Sequence, residues 1–426
     1  MNSPKRIYTP VKKKTILMVD DDHIGVHMYK AKFQSHTFNV EVVAGADDAM
    51  QRLKKEPVNL VIFDLCLPGM DGVEVLKSIR SEFTAEVLPI VVFSNPFLTS
   101  LTRAALEAGA TRCVAKVESS PEKMLALVGE LLVVTPRTGA IAAQSESDLR
   151  ETLVASFLKS ASETLAKLRA GHQAFAKTEA EDLRRTELSE MHRQVRLLAG
   201  SADLIGFRKI SQTGSALEAL FLELHAKPSK ITPSVIRTVA QAIDTLASLF
   251  EKAANAQIDV SVPPRILVVD DEVISRETIC SALGKAGLTA ESLDDSLAAQ
   301  RLLEQDHFDL IFLDVEMPGK SGPDLCLNIR ERPTNCSTPV VFVTSHSDFG
   351  SRAQSTLSGG NDFIAKPFLL VELALKALTC LFKESPQPLV IATAPTVTPF
   401  GAENHEAQTA ALSIDEDRLV EPNALP

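Results

Sequence analysis

Tryptophan is absent from this 426-residue sequence and tyrosine occurs only twice, which removes the aromatic platforms on which single-stranded nucleic acid usually stacks. Positive charge is in deficit as well: 44 Lys and Arg against 55 Asp and Glu give a formal net charge of -11. A polyanionic partner is therefore disfavoured, and no nucleic-acid binding is expected. No apolar stretch approaches the roughly 20 residues of a membrane span, and Lys12 to Lys14 stand where a secretory signal would need its apolar core. A cytoplasmic protein with no membrane contact is expected. The six cysteines (Cys66, Cys113, Cys280, Cys326, Cys336, Cys380) lie far apart without a C-x-x-C pair, so neither a zinc site nor a disulfide framework is suggested.

What is present is an internal repeat. Val61-Ile62-Phe63-Asp64-Leu65-Cys66-Leu67-Pro68-Gly69 and Ile311-Phe312-Leu313-Asp314-Val315-Glu316-Met317-Pro318-Gly319 are both apolar runs that end on a carboxylate and break into a Pro-Gly turn. The two aspartates are 250 residues apart. The same offset relates Asp20 to Asp270, Asp21 to Asp271, Ser94 to Thr344 and Lys116 to Lys366.

Around each set, short continuous apolar runs alternate with amphipathic segments, the pattern of a parallel sheet covered on both faces. The fold class expected is α/β: two doubly wound, five-stranded, flavodoxin-like domains separated by an all-α four-helix bundle. In boundaries this reads as a basic leader at 1–13, a first α/β domain at 14–134, a linker at 135–144, the bundle at 145–257, a linker at 258–264, a second α/β domain at 265–384 and a disordered tail at 385–426. The bundle rests on apolar positions three or four apart, beginning Leu149, Leu153, Phe157, Ala161, Leu165 and Leu168. Its fourth helix starts with Thr232 as N-cap and Pro233 in the first turn. The tail is rich in Pro, Ala and Thr and has no periodic face able to bury a core.

In open parallel sheets, ligands bind beyond the carboxyl ends of the strands. Asp20, Asp21, Asp64, Ser94 and Lys116 each end a predicted strand, and so do their repeats. Three carboxylates so close together call for a cation, and Mg²⁺ fits because it prefers hard oxygen ligands. Together with a Lys and a hydroxyl it would stabilise a phosphoryl group on Asp64 or Asp314.

These motifs resemble the receiver domains of two-component response regulators, over Thr15 to about Val133 and Arg265 to about Phe382. The resemblance implies phosphoacceptors at Asp64 and Asp314. It implies Mg²⁺ bound by Asp21 and Asp271 with help from Asp20 and Asp270, and by the backbone carbonyls of Cys66 and Glu316. Ser94 and Thr344 match the switch hydroxyl, Lys116 and Lys366 the lysine that pairs with the phosphoryl group, and Phe363 the aromatic that turns inward with the hydroxyl. The first copy departs from the pattern: Cys113 replaces the aromatic, Val117 replaces the proline matched by Pro367, and Asn95-Pro96 follows Ser94.

The stretch Leu197 to Phe207 resembles the core of histidine phosphotransfer domains. There the phosphoacceptor His lies four residues before the Gly matched by Gly200, a position held here by Arg196, whose guanidinium stays protonated. His192, one turn earlier, is the possible substitute and is read as a solvent-facing histidine. A degenerate bundle kept for docking follows, with Arg196 expected to pair with an acidic receiver edge.

The function expected is phosphorelay signalling, with phosphoryl groups accepted from a histidine kinase or phosphotransfer protein and read out as altered protein binding. Self-association through the bundle is a further expected contact, and no catalysis on a metabolite is expected. The alternative is a constitutive scaffold with vestigial sites. A haloacid-dehalogenase-type hydrolase would need a second Asp two residues after the nucleophile, where Cys66 and Glu316 stand.

Overall fold

The computed structural model describes residues 13–36, 38–67, 70–116, 119–132, 142–178, 180–254, 262–345 and 358–383. The first α/β domain runs β1 (Lys14–Val19), α1 (His23–Gln34), β2 (Phe38–Val43), α2 (Ala46–Lys55), β3 (Leu60–Asp64), α3 (Gly72–Glu82), β4 (Ile90–Ser94), α4 (Thr99–Glu107), β5 (Arg112–Ala115) and α5 (Pro121–Leu131). Its sheet has the order β2-β1-β3-β4-β5 with every pairing parallel. The strands of such a sheet are buried on both faces, and β3 is buried along its whole length. One face packs Ile16, Met18, Ile62 and Val91 against α1 and α5; the other packs Leu17, Val61, Phe63 and Val92 against α2 and α3.

Four helices follow: α6 (Ala142–Lys177), α7 (Glu181–Ile205), α8 (Arg208–Ala226) and α9 (Pro233–Ala254). The stripe Phe157, Ala161, Leu165 and Leu168 of α6 is buried as its spacing predicts, while the Leu149 side chain lies outside the described residues. Thr232 does cap α9, its Oγ1 accepting from the Val235 amide at 3.2 Å. Gly206 closes α7 at φ 94°, the left-handed conformation that glycine adopts without strain. One boundary shifts: α6 already runs at Ala142, inside the stretch read as linker. The leader through residue 12, residues 133–141, most of the 258–264 linker and the tail from 384 lie outside the described residues.

The second α/β domain runs β6 (Ile266–Val269), α10 (Val273–Lys285), β7 (Ala290–Leu293), α11 (Ser296–Gln305), β8 (Leu310–Asp314), α12 (Gly322–Arg330), β9 (Val340–Thr344), β10 (Asp362–Ala365) and α13 (Leu370–Phe382). Its order, β10-β9-β8-β6-β7, is the first sheet's order read from the opposite edge. The two domains also share a close approach absent from the repeat list above. A Cβ on Gly72 would stand 2.3 Å from the Leu65 carbonyl oxygen, and one on Gly322 would stand 2.1 Å from that of Asp314. Only glycine lets the helix begin so near the acidic strand end.

The bundle and the second α/β domain do not have separate cores. Ile243, Leu246 and Leu220 of the helices belong to one apolar cluster with Ile279, Phe312, Leu375 and Leu378. The connecting element is α13, which packs against α8, α9 and α10 and is buried almost all round from Val371 to Thr379. Such a helix has no polar face to offer water.

Candidate functional site

Parallel strands place their carboxyl ends at one edge, so β1, β3, β4 and β5 deliver Asp20, Asp64, Ser94 and Lys116 to a common site from positions almost a hundred residues apart. The second domain does the same with Asp270, Asp271, Asp314, Thr344 and Lys366. Sequence reasoning brought both sets together correctly. It did not foresee how different their surroundings are.

In the second domain, carboxylate oxygens of Asp270, Asp271 and Asp314 all lie within 4.8 Å of one another. Lys366 Nζ donates to Asp270 Oδ2 at 2.9 Å and stands 3.6 Å from Asp314 Oδ1. Three carboxylates thus converge beside a single ammonium, which also stands 3.7 Å from Glu272 Oε2, an excess of negative charge suited to a hard divalent cation, and Asp271 is exposed and so reachable. Burial, and then the repulsion of Asp270, pushes the Asp314 carboxyl up to about 6 against the opposing pull of Lys366. Thr344 is buried at the end of β9. The peptide bond between Lys366 and Pro367 is cis.

Phe363 is half-buried, and its ring carries the Arg237 guanidinium of α9 at 4.9 Å from the centroid. The domain is tied to the helices nearby by Ser234 Oγ donating to Glu372 Oε1 at 2.7 Å and by Gln212 Nε2 donating to the Ala286 carbonyl at 3.2 Å.

In the first domain a side chain from the helices meets the equivalent edge, beside a small cavity lined by Asp64, Ser94, Lys116, Arg196 and Glu218. Lys116 Nζ donates to Asp20 Oδ2 at 2.9 Å and to Asp64 Oδ2 at 3.0 Å. Arg196, 132 positions away on α7, donates from Nη1 to Asp64 Oδ2 at 2.9 Å and from Nη2 to Asp21 Oδ1. Asp64 Oδ1 accepts from the Cys66 amide at 2.9 Å. Burial by itself would raise the Asp64 carboxyl, but the Lys116 and Arg196 cations outweigh it and hold the group down at about 2. Asp20 is instead pushed up to about 6, by burial and by the charges of Asp64 and Asp22. Ser94 Oγ donates to the Val114 carbonyl at 3.3 Å.

This corrects one expectation. Asp20, Asp21, Asp64 and Cys66 were read as a second Mg²⁺ site, yet two of the carboxylates face a guanidinium and the third a lysine. The residues present do not fit a metal in this arrangement, since its positive charge is already supplied. Val117, the other departure of this copy, lies outside the described residues.

His192 also departs from expectation. It does not face solvent: its side chain is 17% exposed and its Nε2 stands 3.9 Å from Glu218 Oε1. Burial, with Arg196 adding, holds the imidazole down at about 4, so it is neutral and forms no ion pair there. The receiver-edge pairing expected of Arg196 is observed, and within one chain.

Several residues of this interface were missed. Asn95 Nδ2 donates to the Ser215 carbonyl at 2.9 Å and to Glu218 Oε2 at 2.8 Å, and its Oδ1 caps the Phe97 amide at 3.0 Å. Ser201 Oγ donates to Asp22 Oδ1 at 3.2 Å. The unusual Asn95-Pro96 pair was a visible signal for the first contact. Glu218 and Ser201 gave none, since a charged or small residue on a helix reads the same whether it meets water or a neighbour.

Comparison with known proteins agrees with the fold. The sequence profile described as "Response regulator receiver domain" matches residues 16–128 and 266–378. The response regulator protein PmrA of Pseudomonas aeruginosa is 36% identical over 117 residues, 27% of this chain and 52% of PmrA. The transcriptional activator protein IrlR of Burkholderia pseudomallei is 34% identical over 117 residues, 28% of this chain and 50% of IrlR. The chain thus spans about half the length of these curated relatives. Among solved structures, the receiver domain of the sensor histidine kinase PA1611 from Pseudomonas aeruginosa PAO1, with magnesium coordinated in its active-site cleft, is 26% identical. That match covers 28% of this chain and 98% of that one, with a TM-score of 0.27. With the profile matching twice, over more than half of the sequence, the chain belongs to the response regulator receiver family, and it carries two such domains with a helical region between them.

Proposed function

We propose that the chain is a phosphorelay response regulator whose second receiver accepts a phosphoryl group on Asp314 from a histidine kinase or a phosphotransfer protein. The observation that carries this reading is the trio Asp270, Asp271 and Asp314 with Lys366 beside it. An Asp314 oxygen forms a bond to phosphorus as the phosphorus–nitrogen bond of the donor phosphohistidine breaks, and the imidazole leaves carrying a proton. Lys366 pairs with the transferred group, and the Thr344 hydroxyl turns to donate to it. The three carboxylates, with the Glu316 carbonyl, would hold Mg²⁺, which supplies positive charge opposite the phosphoryl oxygens. Output is altered protein binding, with no chemistry on a metabolite and a cytoplasmic setting.

Phe363 and α13 give this receiver a route to the helices, because a rotation of the ring would disturb the Arg237 contact. The helical region acts as a phosphotransfer-type docking module rather than a phosphoacceptor, with an arginine at the acceptor position. A binding-module reading is favoured for the first receiver by the guanidinium against Asp64.

The test is phosphorylation by a small-molecule phosphodonor with Mg²⁺, followed by phosphate-affinity gel. Wild type and Asp64→Ala are expected to shift alike, whereas Asp314→Ala loses at least nine-tenths of the label. A folded wild type that takes no label from the donor or from any kinase would transfer support to the scaffold reading.

A further inference from the structure

We propose that Arg196 is a built-in cation for the first receiver, so that docking of α7 and the binding of Mg²⁺ at Asp21 and Asp64 exclude each other. The docked chain then holds its first receiver closed while the second stays open.

The comparison of the two sites within one molecule carries this inference. Both have the same acidic and basic residue types at the same strand ends, yet among the described residues only Asp270, Asp271 and Asp314 converge as a set able to hold a metal ion. The difference is the guanidinium, which contacts Asp64 and Asp21 together. Both oxygens of Asp64 are engaged, Oδ1 by the Cys66 amide and Oδ2 by Lys116 and Arg196 at once. Asp64 and Arg196 are each only 4% exposed, so the acceptor oxygen is covered as well as paired.

The approach is shaped for this contact. A Cβ on Gly200 would stand 3.0 Å from Asp22 Oδ2 and 3.2 Å from Lys116 Cε, so the helix lies as close to the receiver as a residue without a side chain allows. Ser201 and Asn95 then bond across the same contact. Apolar contacts flank it, with Leu204 in the first receiver's core and Phe97 and Leu98 against the helices. A guanidinium taken out of water persists only where its partners stay with it. A divalent ion entering between Asp21 and Asp64 would leave Arg196 without them, and the two occupants therefore compete.

The phosphorylation half of this proposal rests on reading Asp64 as an acceptor; the metal half does not. The full chain carrying Asp271→Asn and Asp314→Asn, which silence the second receiver, is titrated with Mg²⁺ alone by calorimetry. Arg196→Ala in that background is expected to raise Mg²⁺ affinity at least about tenfold, and to speed labelling of Asp64 by acetyl phosphate by a similar factor. Gly200→Val, which wedges the interface and keeps the guanidinium, is expected to do the same, with helical circular dichroism as the check on folding. Amide exchange along α7 should accelerate on adding Mg²⁺ to the background chain. Unchanged Mg²⁺ affinity in both folded variants overturns the proposal. A rise in affinity with no label on Asp64 supports the clasp and removes Asp64 as an acceptor.

Discussion

Glu218 shows what a buried ionisable residue does for this interface. Burial, and then the nearby charge of Asp64, pushes its carboxyl up to about 7 from an ordinary value of 4.5, while Asn95, Arg196 and Lys116 pull the other way. Its other neighbour, His192, is held down at about 4 from an ordinary 6.5 and acts with the opposite sign between those two values. A carboxyl raised in the folded state holds a proton that the unfolded chain has already lost between those two values. Its contribution is fully present below about 4.5 and is lost as pH rises through about 7. Asp20, raised to about 6, acts in the same direction. The melting temperature of the first receiver is therefore expected to fall most clearly between pH 6.5 and 8, above the range where His192 opposes the trend, and Glu218→Gln should reduce that slope. Thermal melts across this range check it; an unaltered slope in the variant would assign the effect elsewhere. The burial of Glu218 was not legible beforehand, and for Arg196 only an acidic receiver edge as partner was, because helical spacing identifies an apolar stripe and is silent about which polar residues a second domain will cover.

At the scale of elements, the alternation of short apolar strands with helices is legible in both receivers, and the described elements follow one another in that order. Less legible was α13. Its sequence, Leu370-Val371-Glu372-Leu373-Ala374-Leu375-Lys376-Ala377-Leu378, has apolar residues on every side, which calls for neighbours on every side. The buried Glu372 and Lys376 are the charged exceptions, satisfied by Ser234 Oγ at 2.7 Å and by Asp362 at the start of β10, 2.7 Å from the Lys376 Nζ. The matching α5, Pro121 to Leu131, keeps an exposed polar side. Leu375→Ala should cost about 3 kcal/mol of stability, measured by urea unfolding, because the cavity would open where the receiver and the helices meet. A loss under about 1 kcal/mol would mean that the site collapses around the smaller residue.

For the whole molecule, the two receivers are attached to the helices by different physics. The second shares a continuous apolar core with α8 and α9, while the first is held by a charged cluster flanked by a few apolar contacts. The helices and the second receiver are therefore expected to unfold as one cooperative unit in calorimetry, with the first receiver as a separable transition. Arg196→Ala should move that transition further from the main one. A single transition in both proteins would contradict the separation.

The sequence by itself determined the repeat, the alternation of elements and the convergence of acids, hydroxyl and lysine at each sheet edge. Those depend on local periodicity and on the one edge to which parallel strands deliver their ends. Only the tertiary structure decided that one acidic edge is left open to a cation and the other meets Arg196. The motif around Gly200 pointed Arg196 toward an acidic receiver edge, but which edge it meets, and that both lie in one chain, depends on how one folded domain packs on another, between residues 132 positions apart.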